Sequence, residues 1–121
     1  MKIIIPAFPP SLNKLHGGLV RAQKFYLSKE HKEFRKVVEE AVNGRKFNGE
    51  KAQVHIVLYP RDNRRRDIDN YIKGLFDSFT ACGFWKDDAI VRRLVVEWGS
   101  PEVPPKTVVN VKEFTERLVE E

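Results

Sequence analysis

Between Gln53 and Tyr59 the chain alternates. Val54, Ile56 and Leu58 fall on one side, and His55, Val57 and Tyr59 on the other, the period of two that a pleated strand imposes. Pro60 closes the run. Upstream the period changes. Phe34, Val37, Val38, Ala41 and Val42 recur at i, i+3, i+4, i+7 and i+8, one face of an amphipathic helix. Ser28 suits the N-cap of that helix, and Gly44 lies just past its end. A second helical stripe, Ile68, Ile72, Leu75 and Phe79, predicts a helix over 68–82, with Gly83 placed to end it. Lys2–Phe8 reads as a first strand, stopped by Pro9 and Pro10, and residues 11–22 as a loop. The β-branched segment Ala89–Trp98 and the segment Thr107–Val111 read as two more strands. Gly99, Pro101, Pro104 and Pro105 mark the turn between them. The order strand, helix, strand, helix, strand, strand predicts a mixed α/β (α+β) fold. Two helices would pack on a mixed sheet of about four strands, in a single domain covering 1–121.

Composition adds a partner class. The chain has 121 residues, an apolar fraction of 41% and 22 Lys+Arg against 17 Asp+Glu. A net charge of +5 favours a polyanionic partner. The charges are also segregated. Lys14–Lys36 holds seven basic residues and two acids, Arg61–Arg66 four arginines and one aspartate, and the stretch from Glu97 onward six acids and three bases. Cys82 is the single cysteine, so no intramolecular disulfide is expected and a reducing cytoplasm is the expected setting. The short apolar run near Met1 fits neither a signal peptide nor a membrane span. His16, His31 and His55 have no zinc-ligand spacing and are expected at the surface or in loops.

The chemistry is concentrated in Arg64-Arg65-Arg66-Asp67-Ile68-Asp69-Asn70-Tyr71-Ile72-Lys73, with Asp87-Asp88 after the next helix. Asp67 and Asp69 lie where a strand turns into a helix. Taken alone, Asp67 is an N-cap and Asp69 a first-turn acid. If the strand after Asp88 lies beside the 53–59 strand, Asp88 returns toward that pair. Three carboxylates in one place repel unless a cation sits among them, and an oxygen-only set suits Mg²⁺ or Mn²⁺. No EF-hand spacing is present. Lys73 is four residues after Asp69. It makes either an i,i+4 ion pair on a solvated face, worth about 0.3–0.5 kcal/mol, or a cation that orients a water or stabilises charge on a phosphate. Asp77, one turn on, would hold Lys73 from its other side. The arginines would grip a phosphate backbone bidentately. Metal, carboxylates and strand-holding cations are the parts that phosphodiester cleavage needs.

This segment, continued by Phe76-Asp77 and by Gly83-Phe84-Trp85-Lys86-Asp87-Asp88, resembles the central motif of the RusA family of Holliday junction resolvases. Phe8-Pro9-Pro10-Ser11-Leu12-Asn13, then Tyr26-Leu27-Ser28 with Phe34-Arg35, resemble the family's opening more loosely. The resemblance implies a homodimeric, Mg²⁺-dependent nuclease that places paired nicks across four-way DNA junctions in recombination and repair. It implies Asp67, Asp69 and Asp88 as catalytic acids and metal ligands, and Lys73 as the essential lysine. It implies Arg66 as the arginine before the first acid. Arg64, Arg65, Asn13, Lys14 and Lys24 are the further expected DNA contacts, and Asn70, Asp77 and Asp87 support the site. A two-fold symmetric junction cut at two symmetric positions calls for two sites, hence two chains. Phe84, Trp85, Val95 and Trp98 are candidates for that interface or, equally, for the core. Three other readings remain open: a catalytically silent dimer that binds branched DNA, a metal nuclease acting on flaps, forks or RNA, and a charged structural protein.

Overall fold

The computed structural model describes residues 1–12, 16–17 and 26–116. Four strands, β1 (Lys2–Ile5), β4 (Ala52–Tyr59), β5 (Val91–Trp98) and β6 (Lys106–Glu113), form one mixed sheet in the order β1-β6-β4-β5. β6 runs antiparallel to both β1 and β4, and β5 runs parallel to β4. The helices α1 (Lys29–Val42) and α2 (Ile72–Ala81) cover one face, so the mixed sheet with two helices expected above is what the chain forms. A two-residue rung joins β2 (His16–Gly17) to β3 (Tyr26–Leu27), inside and just after the stretch expected to be loop. β1 is shorter than the predicted 2–8. It stops before Pro6, which has no N–H to give to a ladder.

Alternation sets which face is covered. Ala52, Val54, Ile56 and Leu58 of β4 are buried, together with Ile3 and Ile5 of β1 and Val109 and Val111 of β6. Phe34, Val38 and Val42 descend onto them from α1, and Leu75, Phe76 and Phe79 from α2. Truncating a ring such as Phe79 to alanine in a core of this kind costs about 3–5 kcal/mol. Among the described residues no layer covers the opposite sheet face, which carries Lys2, Ile4, His55, Val95, Glu97, Asn110 and Lys112. His55 Nε2 and Glu97 Oε2 meet there at 2.7 Å.

The helix ends follow their caps. Ser28 accepts from the His31 N–H at 3.3 Å, and Asn43 and Gly44, both at positive φ, turn the chain out of α1. Gly83 ends α2 at φ +79. The Phe84 N–H reaches back to Phe79 O (2.9 Å) and the Gly83 N–H to Thr80 O (3.1 Å), which satisfies the last carbonyls of the helix. Phe84 and Trp85 then fold under α2 and are buried. They belong to the core and not to an interface, and the Trp85 indole N–H donates to Thr80 Oγ1 at 2.9 Å. Cys82, half-buried here, has its thiol pKa pushed up by burial. Among the described residues no helix is long and apolar enough to cross a membrane.

His31 departs from the sequence expectation. It is 2% exposed, lies between the helices and approaches Ser11 O at 3.3 Å through Nε2. Gly74 of α2 makes room for its ring, since a Cβ at that position would run into the imidazole. The sign of Gly74→Ala follows. In an open helix the change would stabilise by about 0.5–1 kcal/mol. Here it should destabilise by about 1–3 kcal/mol through overpacking. Thermal melts of Gly74→Ala, alone and combined with His31→Ala, measure it. A Gly74→Ala melt above wild type would show that the contact carries no strain.

Candidate functional site

Because β4 and β5 are parallel, the chain leaves β4 at one end of the pair and must enter β5 at the other, with α2 spanning the distance. Nearly all of the polar chemistry sits on this crossover. It begins with the arginine loop after Pro60, which is organised around Asp62. The Asp62 Oδ1 accepts from Arg66 Nη2 at 2.7 Å and from the Arg64 backbone N–H at 3.1 Å. Its Oδ2 lies 3.7 Å from Arg61 Nε and 3.8 Å from Arg64 Nη2. The Arg66 hydrogen bond, followed by that from Arg64, holds the Asp62 carboxyl below the usual carboxylate range. Arg66 is the inward member of the loop. Its side chain is 14% exposed, it also donates through Nη1 to Asp62 O (3.1 Å) and Arg64 O (3.0 Å), and its guanidinium stands 5.7 Å from the Phe8 ring centroid. Of the three arginines expected to hold DNA, Arg64 and Arg65 face solvent, whereas Arg66 braces the loop. Asn13, Lys14 and Lys24 lie outside the described residues.

Past the arginines, the predicted helix start is a 3₁₀ turn, Ile68–Tyr71, and α2 proper begins at Ile72. Asp67 takes the N-cap position of this turn with an extended backbone, but its side chain makes no capping hydrogen bond. The turn is closed instead by the half-buried Asn70, whose backbone N–H donates to Asp67 O at 3.1 Å. Asp67 and Asp69 are both exposed, and neither carboxylate has a hydrogen-bond or ion-pair partner among the described residues. Tyr71, with φ −111 and ψ 0, interrupts the helical register between Asp69 and Lys73. That interruption is why the i,i+4 pair between them does not form. Lys73 Nζ lies instead 3.6 Å from Asp77 Oδ2, one turn further along α2.

Asp88 opens a second 3₁₀ turn, Asp88–Ile90, so β5 starts at Val91, two residues later than predicted. Asp87 caps this turn, accepting from the Ala89 N–H at 2.8 Å. β5 does lie beside β4, and the Asp88 carboxyl is near enough to α2 for the charges of Lys73 and Asp77 to act on it. Desolvation first, and then the neighbouring carboxylates Asp87 and Asp77, raise the Asp88 pKa, and Lys73 partly offsets them. The donor chemistry of Asp67, Asp69 and Asp88 is oxygen-only, which fits Mg²⁺ or Mn²⁺. As arranged here, no three Asp, Glu, His or Cys side chains among the described residues are grouped closely enough to hold an ion.

The comparisons with known proteins bear on this same segment. The family model described as endodeoxyribonuclease RusA matches residues 9–112. The chain belongs to the RusA endodeoxyribonuclease family. RusA relatives include the crossover junction endodeoxyribonuclease of Enterobacteria phage HK97, 33% identical over 90 residues, or 72% of each chain. The protein of the same name from Enterobacteria phage 82 is 32% identical over 87 residues, 69% of this chain and 71% of its own. The Escherichia coli K12 RusA protein is 49% identical over a shorter stretch of 39 residues, 32% of each chain. Membership in the RusA family makes this chain an enzyme, a hydrolase acting on DNA.

Two features escaped the sequence reading. Asp62 is an acid placed four residues before Arg66 inside an arginine run, a spacing that signals a clamp. The second is an aromatic group in which Trp98 stacks on Phe8 (centroids 6.1 Å, planes 9° apart) and meets Tyr71 edge-on at 6.0 Å. Residues so distant in sequence gave no periodic signal.

The two shifted carboxyls make opposite contributions with pH. Asp62, lowered in the folded chain, adds stability above the ordinary carboxylate pKa of about 4, and loses it as pH falls through its depressed value. Asp88, raised, opposes folding as pH climbs from its ordinary value through its folded one. In chelator at neutral pH, Asp62→Asn should lower the melting temperature and Asp88→Asn should raise it by a few degrees at most. Melting both variants and wild type from acid to neutral pH tests this, and shifts of the same sign would refute it.

Proposed function

We propose that this chain is a Mg²⁺-dependent endodeoxyribonuclease that, as a homodimer, resolves Holliday junctions by paired symmetric nicks in DNA recombination and repair. One observation carries the reading. In a chain of the RusA family, two exposed carboxylates, Asp67 and Asp69, have no hydrogen-bond or ion-pair partner among the described residues and stand directly beside exposed arginines. Relatives named as crossover junction endodeoxyribonucleases support branched DNA as the substrate.

Asp67, Asp69 and Asp88 are the residues that would hold the metal, with Mn²⁺ able to substitute. Carboxylates drawn together without a counter-charge repel, and a divalent ion is the charge that lets them close. When bound, the ion supplies an activated water and polarises the phosphate. Arg64 and Arg65 hold the strand by its phosphates. Lys73, kept in place by Asp77, orients the attacking water or stabilises the charge that develops on the phosphate. Asp87 fixes the turn that presents Asp88. A four-way junction is close to two-fold symmetric, so a second copy of the chain supplies the second nick.

A nicking assay on a synthetic four-way junction, a flap and a linear duplex at one salt concentration tests the reading. Wild type with Mg²⁺ should cut the four-way junction at paired sites, and Asp69→Asn should still bind it but cut it at least about 100-fold more slowly. Preferential cutting of the flap would move the substrate assignment. Binding without nicks from wild type would leave a silent junction-binding dimer. Separately, replacing Arg64 or Arg65 with alanine should flatten the slope of log affinity against log salt by about 1 each. An unchanged slope in both would remove them from the phosphate contacts.

A further inference from the structure

A cleft of about 300 Å³ opens between the arginine loop and the end of β5, lined among others by Asp62, Asn63, Arg64, Arg65, Trp98 and Gly99. Its far wall is pinned. The Gly99 N–H donates to Leu58 O (2.8 Å) and the Glu102 N–H to Pro60 O (2.8 Å). Gly99 is pressed so close to the Tyr59 ring that any Cβ there would strike it. Its near wall is the loop that Asp62 and Arg66 brace. Trp98 is part of its lining. Phe8 and Tyr71 hold the indole in place, yet it remains 38% exposed. Tyr71 is also the last residue of the turn that carries Asp67 and Asp69, so the indole and the candidate acids share one support.

The chemistry of these walls is specific to one class of ligand. With Phe8 stacked on the indole and Tyr71 against it, the part of Trp98 left exposed is the surface on which a nucleobase of any kind would stack. Exposed guanidinium groups offer phosphate contacts. The Asn63 amide offers a donor and an acceptor to a base edge. Within paired DNA a base has both faces covered and cannot use an indole, whereas a strand that has left its helix presents a free base and its phosphate together. The volume is at the low end of the roughly 300–1,000 Å³ typical of small-ligand sites, which suits a single residue of a strand and not a duplex. We propose that this cleft binds one unpaired nucleotide of a DNA strand, its base stacked on Trp98 and its phosphate held by Arg64 and Arg65. The proposal rests on the reading that the chain acts on branched DNA, and gives that reading a residue that tells an opened strand from a continuous helix.

The test uses the full chain in chelator, so that nothing is cut, with a short oligothymidylate, a four-way junction and a linear duplex as probes. Oligothymidylate should quench the tryptophan emission of wild type. It should leave the emission of Trp98→Phe unchanged, because Trp85, the other tryptophan, is buried. Trp98→Ala should bind the oligothymidylate and the junction about 5–150-fold more weakly, while duplex binding changes little. Trp98→Phe, which keeps an aromatic face, should retain most of the affinity. Equal loss on all three probes, or no quenching in wild type, would overturn the proposal. So would a sedimentation shift in Trp98→Ala and Trp98→Phe without loss of oligothymidylate binding, which would make Trp98 an interface residue. Quenching by oligothymidylate in a chain that cuts no junction would keep the cleft and remove the nuclease reading.

Discussion

Parallel neighbours in a sheet cannot be joined by a hairpin, and this constraint shapes the molecule. Leaving β4 at one end and entering β5 at the other requires a crossover, and α2 is only ten residues long, Ile72–Ala81. Its two connections therefore have to do the remaining work of turning the chain. Each does so with a 3₁₀ turn, Ile68–Tyr71 before the helix and Asp88–Ile90 after it. All three candidate acids are on these turns or at their entry. Core packing fixes the helix between them through Leu75 and Phe79, and the helix in turn sets how the acids stand relative to Lys73 and Asp77.

The arginine loop solves a different problem. Four arginines in six residues repel one another and would not hold one shape unaided. A single carboxylate, Asp62, draws on three of them, and it ties Arg66 to the backbone of its own loop. The outcome is a division of labour within one run: an inward arginine that gives the loop its form, and outward ones left for a polyanion. Exposed ion pairs such as Arg61–Asp62 add little energy by themselves, so the value of the arrangement lies in orientation.

Much of this was legible in the chain. The alternation at 53–59 and the helical stripe of Phe34, Val38 and Val42 named the core faces correctly, because period reports burial directly. The Asp-x-Asp-Asn segment with its arginines gave the family. What failed were features fixed by contacts between distant residues. His31 lies on the buried side of α1 only because Gly74, 43 positions later, leaves it room. Of the two partners that spacing offered Lys73, Asp77 pairs with it as expected and Asp69 does not, because Tyr71 breaks a register that spacing alone assumes to be continuous. Nothing in the spacing of the arginine run shows that Asp62 and Phe8 together enclose Arg66. The approach of Asp88 toward the α2 flank depends on how β5 is entered, which strand patterns do not encode.

Cys82 bears on how two copies of the chain would associate. Its thiol is half-buried at the end of α2 and its pKa is raised, so at neutral pH the reactive thiolate is scarce. With no other cysteine in the sequence, a covalent bridge between copies would have to form through this shielded sulfur. A pairing of the chain that leaves this sulfur unused is non-covalent and governed by mass action, so the share of paired chains rises and falls with concentration and with whatever ligand binds the pair more tightly than the single copy. Where the chain is scarce, a substrate that engages two copies at once would itself bring the pair together.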